Sequence, residues 1–253
     1  MLGKWAAVLP RQAQPGFQVE ADESPMKRAM SQGEPSQTTL RAPGQFARER
    51  GLELALKPVL IGVLALLTIA VAWSILGLRG IPLIPVELGA IGAMLIGDRL
   101  YQDQADRWLR GAEGEKAVGA ICAELEADGW YAIHDVSLGR GNVDHILVGP
   151  GGIFTIETKS HRGRIPIDHI DQKMLKQAYA QKKLLERITG RDVRPLLVFS
   201  RAYLVGSVPA QRRGITVLPA RMLRHYFSRR RPVIEMTEVA TLHARLAAAL
   251  SGK

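Results

Sequence analysis

The chain contains few residues of the kinds that cross-link secreted proteins or bind zinc through sulfur. Cys122 is the one cysteine in 253 residues, which excludes an internal disulfide and a cysteine-based zinc site. The six histidines show no close metal-binding spacing. The opening MLGKWAAVLPRQA has too short an apolar run for a secretory signal, and no small-residue cleavage pattern follows it. These absences are consistent with a reducing compartment.

The charge of the chain is basic and is concentrated after residue 97. The formal net charge is +10, and residues 98–253 carry 25 Lys and Arg against 17 Asp and Glu, which places +8 of the charge there. Such a balance favours partners that carry phosphate, either nucleic acid or anionic lipid heads. The alternative is that the charge serves only solubility.

The N-terminal part of the chain divides into a polar segment and an apolar one. Residues 1–51 mix Gln, Pro, Ser, Gly and charges with little periodicity, which predicts disorder. Residues 58–78 (PVLIGVLALLTIAVAWSILGL) contain no charge over 21 positions, and about 20 apolar residues are needed to cross a bilayer as a helix. A buried core helix is the alternative, although such helices are rarely apolar on every side for so long.

A second apolar segment, residues 81–97, contains Pro82, Pro85 and Glu87. It is a second span, a re-entrant segment or an interfacial helix, and together with the first it makes residues 58–100 the predicted membrane region. Lys and Arg flank this region on both outer sides, which favours both ends in the cytoplasm and an inner-membrane protein whose C-terminal domain faces the cytoplasm. A single span would put that domain outside, away from nucleic acid.

The stretch that carries the chemistry is residues 142–159, NVDHILVGPGGIFTIETK. Two apolar runs rich in β-branched residues flank a Pro-Gly-Gly cluster, which predicts a hairpin. If the turn centres on residues 150 and 151, paired residue numbers sum to 301. Asp144 then faces Glu157, and Lys159 lies on the same face because side chains alternate along a strand.

Two carboxylates held this close repel each other unless a proton or a cation lies between them. Oxygen ligands suit Mg²⁺ or Mn²⁺ better than zinc. The alternative for any one of these residues is an ordinary solvated charge at a strand end. Glu115, at the start of a predicted helix, is either a capping group or a third acidic group directed at the cation.

Helices and strands are predicted on both sides of this hairpin. A helix over residues 170–188 has Gln177 and Gln181 on its inward stripe, which is unexpected because a buried amide needs partners. Lys173 and Lys176 lie on the rest of that helix, where they form either a solvated face or a surface that follows phosphates. Further strands are predicted at 130–135, 165–167, 194–200 and 214–218, and further helices at 98–110, 111–129, 219–227 and 237–250.

Several of these residues, taken in order, resemble the nuclease-related domain family, NERD, which is assigned to the restriction-endonuclease-like PD-(D/E)xK superfamily. The matching stretches, within about residues 110–218, are GAEGE from 111, GNVDH from 141, VGPGGIF from 148, Glu157-Thr-Lys159, Gln177 and RPLLVF from 194. Two positions depart from the pattern. Val143 stands where a proline precedes the first aspartate, and Gln181 stands where a tyrosine accompanies the glutamine.

The resemblance implies an α/β fold, a restriction-endonuclease-like mixed sheet flanked by helices. It implies that Glu115, Asp144 and Glu157 bind Mg²⁺ or Mn²⁺ and that Lys159 contacts the scissile phosphate or the attacking water. Gln177 resembles the superfamily's helical glutamine. The basic turn with Arg162 and Arg164, and the helical Lys173 and Lys176, are the predicted nucleic-acid contacts.

The expected organisation is a disordered segment 1–51, the membrane region 58–100, a NERD-like domain 108–220 and a basic helical extension 221–253. The expected function is membrane-anchored, metal-dependent hydrolysis of phosphodiester bonds in DNA. Lys159 is either a cation that offsets charge in the transition state or, when desolvated, a base. The alternatives are a catalytically silent nucleic-acid-binding module and a membrane-associated scaffold.

Overall fold

The structure, a computed structural model, describes residues 41–76, 83–137 and 142–251. Two long helices come first, α1 (Gln45–Leu76) and α2 (Leu83–Glu124). Disorder was predicted for residues 1–51, of which residues 1–40 lie outside the described part of the chain. The prediction is wrong for residues 45–51, which belong to α1. The segment is helical because its first turn is held by the rest of the domain.

The start of α1 shows how it is held. Gly44 has φ +72°, a left-handed conformation that glycine adopts at low cost. The Phe46 amide then donates to Asp135 Oδ2 at 2.6 Å, and the Phe46 ring lies edge-on to Trp108 with 6.0 Å between centroids. One backbone donor that a helix start leaves unpaired is thus satisfied by a carboxylate from the sheet.

Helix α2 is continuous where three separate segments were predicted. The second apolar segment, the polar stretch 98–110 and the helix after it form one helix of 42 residues. Pro85 does not interrupt it because it stands in the first turn, where a missing N–H costs little. A long antiparallel contact with α1 stabilises it, with Gly62 against Met94 and Gly51 against Leu109.

Among the described residues, one helix is long and apolar enough to cross a membrane by length and composition, and it is α1, over Gln45–Ile75. Its apolar stretch is largely exposed, with only 17% of it buried. The second span predicted at residues 81–97 begins outside the described residues, and the part that is described does not meet the same test. Its exposed apolar side chains include Leu88, Ile91, Leu95 and Ile96.

A mixed sheet of six strands forms the centre of the remaining chain. The eight strands of the described chain are β1 Tyr131–Ser137, β2 Asn142–Gly149, β3 Gly152–Lys159, β4 Arg164–Pro166, β5 Val193–Phe199, β6 Tyr203–Val205, β7 Ala210–Arg212 and β8 Ile215–Pro219. The spatial order in the six-stranded sheet is β1-β2-β3-β5-β8-β7, in which β3, β5 and β8 run parallel and the other pairs are antiparallel. Strand β4 pairs with β6 in a separate two-stranded sheet, so the strand predicted at residues 165–167 does not extend the main sheet.

Helices cover both faces of this sheet, as predicted for an α/β domain. They are α2, α3 (Gln172–Thr189), α4 (Leu223–Ser228) and α5 (Met236–Ser251). Val118 of α2 and Phe227 of α4 pack on one face with Leu147. On the other face, α3 and α5 pack through apolar residues that include Leu185, Leu242 and Leu246.

The predicted C-terminal extension, residues 221–253, is therefore wrong as a separate unit. Phe227 and Leu246 are 1% and 0% exposed, so α4 and α5 complete the core of the domain. Burying apolar side chains of this size stabilises a fold by about 1.5–3 kcal/mol each. The folded unit consequently runs to the end of α5 and not to residue 220.

Candidate active site

The hairpin of β2 and β3 has the predicted register. The Cα pairs Gly149↔Gly152, Ile146↔Thr155 and His145↔Ile156 are observed, and each pair of numbers sums to 301. Asp144 and Glu157 continue this register by one residue, at the end of the sheet where β2 begins and β3 finishes. Asp144 Oδ2 accepts a hydrogen bond from the Thr158 amide at 2.6 Å, which holds the carboxylate across the hairpin.

Glu157 is 2% exposed, and both of its carboxylate oxygens have partners. Lys159 Nζ donates to Oε1 at 2.5 Å, and Gln181 Nε2 donates to Oε2 at 2.5 Å. Lys159 Nζ also donates to Gln177 Oε1 at 3.2 Å. A buried charge needs such partners, so β3 and α3 together position the carboxylate and the ammonium.

Glu115 comes from α2, on the opposite layer of the fold. Gly114 permits this close approach, because a Cβ at that position would overlap Ser160 Oγ and lie 2.6 Å from Ser200 Oγ. Ser160 and Ser200 directly follow β3 and β5. The glycine in the GAEGE motif thus lets α2 contact the carboxyl ends of two strands, and it places Glu115 beside them.

These groups line one cavity of about 860 Å³. The base of the cavity is the end of the β2–β3 hairpin, and its walls come from α1, α2, α3 and the turn after β3. The lining residues include Phe46, Arg107, Trp108, Arg110, Glu115, Asp135, Asn142, Asp144, Glu157, Lys159, Arg162 and Gln177. Glu115, Asp144, Glu157, Lys159 and Gln177, all predicted as site residues, are therefore brought together.

The acidic groups raise each other's pKa. Burial, followed by the charges of Asp135 and Glu157, raises the pKa of Glu115 from 4.5 to about 7. Burial also raises the pKa of Asp144 well above its usual 3.8, and the charges of Glu157 and Glu115 add to this effect. Carboxyl groups in this situation are stabilised by a proton or by a cation.

The donor set fits a hard divalent cation in part. Mg²⁺ is usually held by one or two carboxylates together with substrate phosphates, and Asp144 and Glu157 supply such a pair. Among the described residues, no group of three or more His, Cys, Asp or Glu side chains could hold a metal ion as placed. Lys159 and Gln181 engage both oxygens of Glu157 as the side chains are placed here.

The predicted nucleic-acid contacts divide into two groups. Arg162 lines the cavity, and Arg164 lies on β4 with its guanidinium over the Tyr203 ring. Lys173 and Lys176 are exposed on α3 and are not among the residues that line the cavity. Of these four predicted contacts, Arg162 is therefore the one that shares the cavity with the carboxylates.

Three further residues belong to the site and were not predicted as part of it. Gln181 bonds Glu157 and also donates to the Asn142 carbonyl oxygen at 2.9 Å. Asn142 Nδ2 donates to Asp135 Oδ1 at 2.5 Å, and Asp135 is 4% exposed. The signal for Gln181 was its position on an inward stripe. Asp135 carried no signal in the sequence beyond its place near a strand end.

Comparison with known families agrees with this geometry. The model of the nuclease-related domain matches residues 110–200, the segment that contains all five side chains brought together in the cavity. Residues 110–200 are a NERD domain. This family belongs to the restriction-endonuclease-like superfamily.

Individual relatives of the NERD domain are distant. A curated protein of Bacillus anthracis, pXO1-01, is 27% identical over 84 residues, which are 31% of this chain and 39% of that protein. Among solved structures, protein VC1899 from Vibrio cholerae is 14% identical with a TM-score of 0.28, covering 81% of this chain and 55% of the other. SfsA of Pyrococcus furiosus, in complex with Ca²⁺, is 17% identical with a TM-score of 0.24, covering 56% and 53%. The chain thus spans between two fifths and little over half of these proteins.

Proposed function

We propose that the protein is a membrane-anchored nuclease that hydrolyses phosphodiester bonds in DNA with Mg²⁺ or Mn²⁺. One observation carries the proposal: Asp144, Glu157 and Lys159 line one cavity at the end of a hairpin within a NERD domain. Two carboxylates and a lysine are the groups that such hydrolysis needs near the scissile phosphate.

Asp144 and Glu157 would hold the divalent cation, which supplies Lewis-acid activation of the phosphoryl group and of a water molecule. Lys159 is the cation that offsets negative charge on the phosphoryl oxygens. Gln177 accepts from Lys159 and keeps its ammonium directed into the cavity. Glu115, a third carboxylate that lines the cavity, would help to position the cation.

Gln181 is a positioning residue in this scheme. Its amide donates to Glu157 Oε2 from the buried face of α3, and it is anchored in turn to the Asn142 carbonyl oxygen. These two hydrogen bonds of Gln181 orient the Glu157 carboxylate, which would hold the cation together with Asp144.

The membrane part of the proposal rests on exposed apolar surface. Large apolar side chains cover α1 on its outer sides, with Leu60, Leu64, Leu67 and Ile75 between 58% and 76% exposed. Soluble monomers rarely expose contiguous apolar surface of this extent. We assign this surface to the lipid of the inner membrane, with the NERD domain in the cytoplasm.

The test uses the purified full-length chain in detergent. Single-stranded, duplex, flapped and supercoiled DNA are incubated with Mg²⁺ or Mn²⁺, and wild type is compared with Asp144→Asn and Glu157→Gln. We expect each substitution to lower cleavage at least about 100-fold, since each removes a group that acts on the transition state.

Glu126→Gln is the matched control, because Glu126 is an exposed carboxylate away from the cavity and its loss is expected to leave cleavage unchanged. Cleavage that survives in Asp144→Asn would refute the proposed site. Tight, salt-dependent DNA binding with no turnover on any substrate would refute hydrolysis and identify a binding module.

A further inference from the structure

Beside the cavity lies an exposed tyrosine between two arginines. Tyr203, on β6, is 53% exposed. The guanidinium carbon of Arg164 is 5.5 Å from the centroid of its ring, and that of Arg221 is 5.6 Å from it. Both distances are within the range of cation–π attraction. We refer to these three residues as the Arg–Tyr–Arg cluster.

The cluster lies at the edge of the sheet that carries the candidate active site. Strands β3, β5 and β8 are parallel, so their carboxyl ends meet there, with Lys159 opposite Phe199 and Phe199 opposite Pro219. Arg221 follows β8 by two residues. Because neighbouring strands are about 4.8 Å apart, β8 is roughly 10 Å from β3 along this edge.

A second contact ties the cluster to the cavity wall. The Tyr203 amide donates to the Gly163 carbonyl oxygen at 2.8 Å, and Arg162, the residue before Gly163, lines the cavity. The turn after β3 therefore connects the two sites directly. In open parallel sheets, ligands bind outside the carboxyl ends of the strands, which is where both sites lie.

The positive charge of the cluster is not neutralised within the described part of the chain. Neither Arg164 nor Arg221 forms an ion pair there, whereas Arg201 pairs with Glu113 and Arg212 pairs with Asp168. Arg164 and Arg221 therefore present two positive charges beside one exposed ring. Such an arrangement suits a ligand that carries both anionic groups and flat rings.

We propose that the Arg–Tyr–Arg cluster binds a single-stranded segment of nucleic acid that continues from the scissile phosphate in the cavity. Arg164 and Arg221 bind its phosphates, while the Tyr203 ring and the guanidinium planes contact its bases. The bases of a duplex cannot stack on the Tyr203 ring, since they are already stacked on one another.

This inference rests on the proposed function, because it takes the polymer in the cavity to be nucleic acid. It adds that the substrate is a single-stranded end or flap. The experiment measures binding alone. Full-length protein in detergent, with EDTA, is titrated into a fluorescent 20-nucleotide single strand and into a matched duplex, and anisotropy is recorded at several salt concentrations. Tyr203→Ala is expected to weaken single-strand binding about ten- to hundredfold and to change duplex binding by less than about twofold.

Tyr179→Ala is the matched control. Tyr179 is also exposed, at 48%, with Lys183 over its ring at 5.7 Å, but Lys183 is paired with Glu186 and Tyr179 does not line the cavity. Its loss is expected to leave both affinities unchanged, and Tyr203→Phe is expected to retain single-strand binding.

Arg164→Ala and Arg221→Ala test the phosphate contacts independently of the ring. Each is expected to reduce the slope of log affinity against log salt by about 0.7 for the single strand. The inference is overturned if Tyr203→Ala binds the single strand like Tyr179→Ala, or if it loses equal affinity for duplex and single strand. It is also overturned if neither arginine substitution changes the salt dependence of binding. Single-strand binding through Tyr203 without any cleavage would refute the proposed nuclease activity and leave this inference standing.

Discussion

At the scale of single residues, the buried acidic side chains of the site repel one another. Glu115 and Asp144 both have raised pKa values because they are buried near further carboxylates. A natural protein tolerates such repulsion where function requires it. The repulsion therefore has a measurable consequence for folding stability in the absence of a cation.

We predict that Glu115→Gln becomes more stable than wild type as pH rises. Glu115 has a folded pKa of about 7, against 4.5 for an ordinary glutamate, so folding favours its neutral form. That contribution is present below pH 4.5 and is lost as pH rises through 7. The difference in unfolding temperature, Glu115→Gln minus wild type, should be near zero at pH 4.5 and reach several degrees by pH 8.

The difference in unfolding temperature between Glu115→Gln and wild type is the right quantity to measure, because other groups change the stability of both proteins in the opposite direction as pH rises. Burial lowers the pKa of His145 to about 3, so wild type gains stability from that residue as pH rises from 3 to 6.5. This contribution cancels between the two proteins. Adding Mn²⁺ at pH 8 is expected to raise the unfolding temperature of wild type and so to reduce its difference from Glu115→Gln. A difference that does not vary with pH would contradict the raised pKa.

At the scale of elements, the site depends on how closely α2 approaches the sheet. Gly114 of α2 packs closely against Ser160 and Ser200, and its neighbour Glu115 lines the cavity. Gly111, one turn earlier on the same helix, has no atom within 4 Å of the place where a Cβ would stand. The two glycines therefore provide a matched pair.

We predict opposite effects for Gly111→Ala and Gly114→Ala. Gly111→Ala should stabilise the protein by up to about 1 kcal/mol, the usual helix preference of alanine over glycine. Gly114→Ala should destabilise it by about 1–3 kcal/mol through overpacking and lower DNA cleavage at least about tenfold, because Glu115 is displaced. Thermal unfolding and cleavage assays measure both effects.

Adding Ser160→Ala to Gly114→Ala removes the hydroxyl that the new methyl group meets, so part of the lost stability should return. Equal behaviour of the two glycine variants would show that the close approach of α2 does not matter for the site.

The hairpin could be predicted from sequence because its determinants are local. Alternation and the Pro-Gly-Gly turn specify the pairing of Asp144 with Glu157 without reference to the rest of the chain. Helix α2 could not be predicted as one element, because its changes of composition resemble boundaries, and its continuity depends on packing against α1. Gln181 was missed as a site residue for a similar reason: its partner, Glu157, is 24 residues away.

At the scale of the whole molecule, helices α1 and α2 connect the apolar surface rigidly to the site. Phe46 lines the cavity and Pro58 begins the apolar stretch of the same helix, 12 residues later. At 1.5 Å per residue the two are about 18 Å apart. If the apolar stretch of α1 lies in lipid, as proposed, with the helix along the bilayer normal, a headgroup layer of about 5–8 Å leaves roughly 10 Å between the membrane surface and the cavity.

This arrangement requires both ends of the α1–α2 hairpin to lie in the cytoplasm, and the single cysteine makes the orientation testable. Cys122 is fully buried, and burial raises the pKa of its thiol to about 12, so it should not react with maleimide in the folded protein. We predict that a cysteine at Arg79, between the two apolar segments, reacts with an impermeant maleimide in intact cells. A cysteine at the exposed Arg224 should react only after lysis. Labelling of Arg224→Cys in intact cells would place the NERD domain outside, away from DNA, and would contradict the membrane orientation on which the proposed function depends.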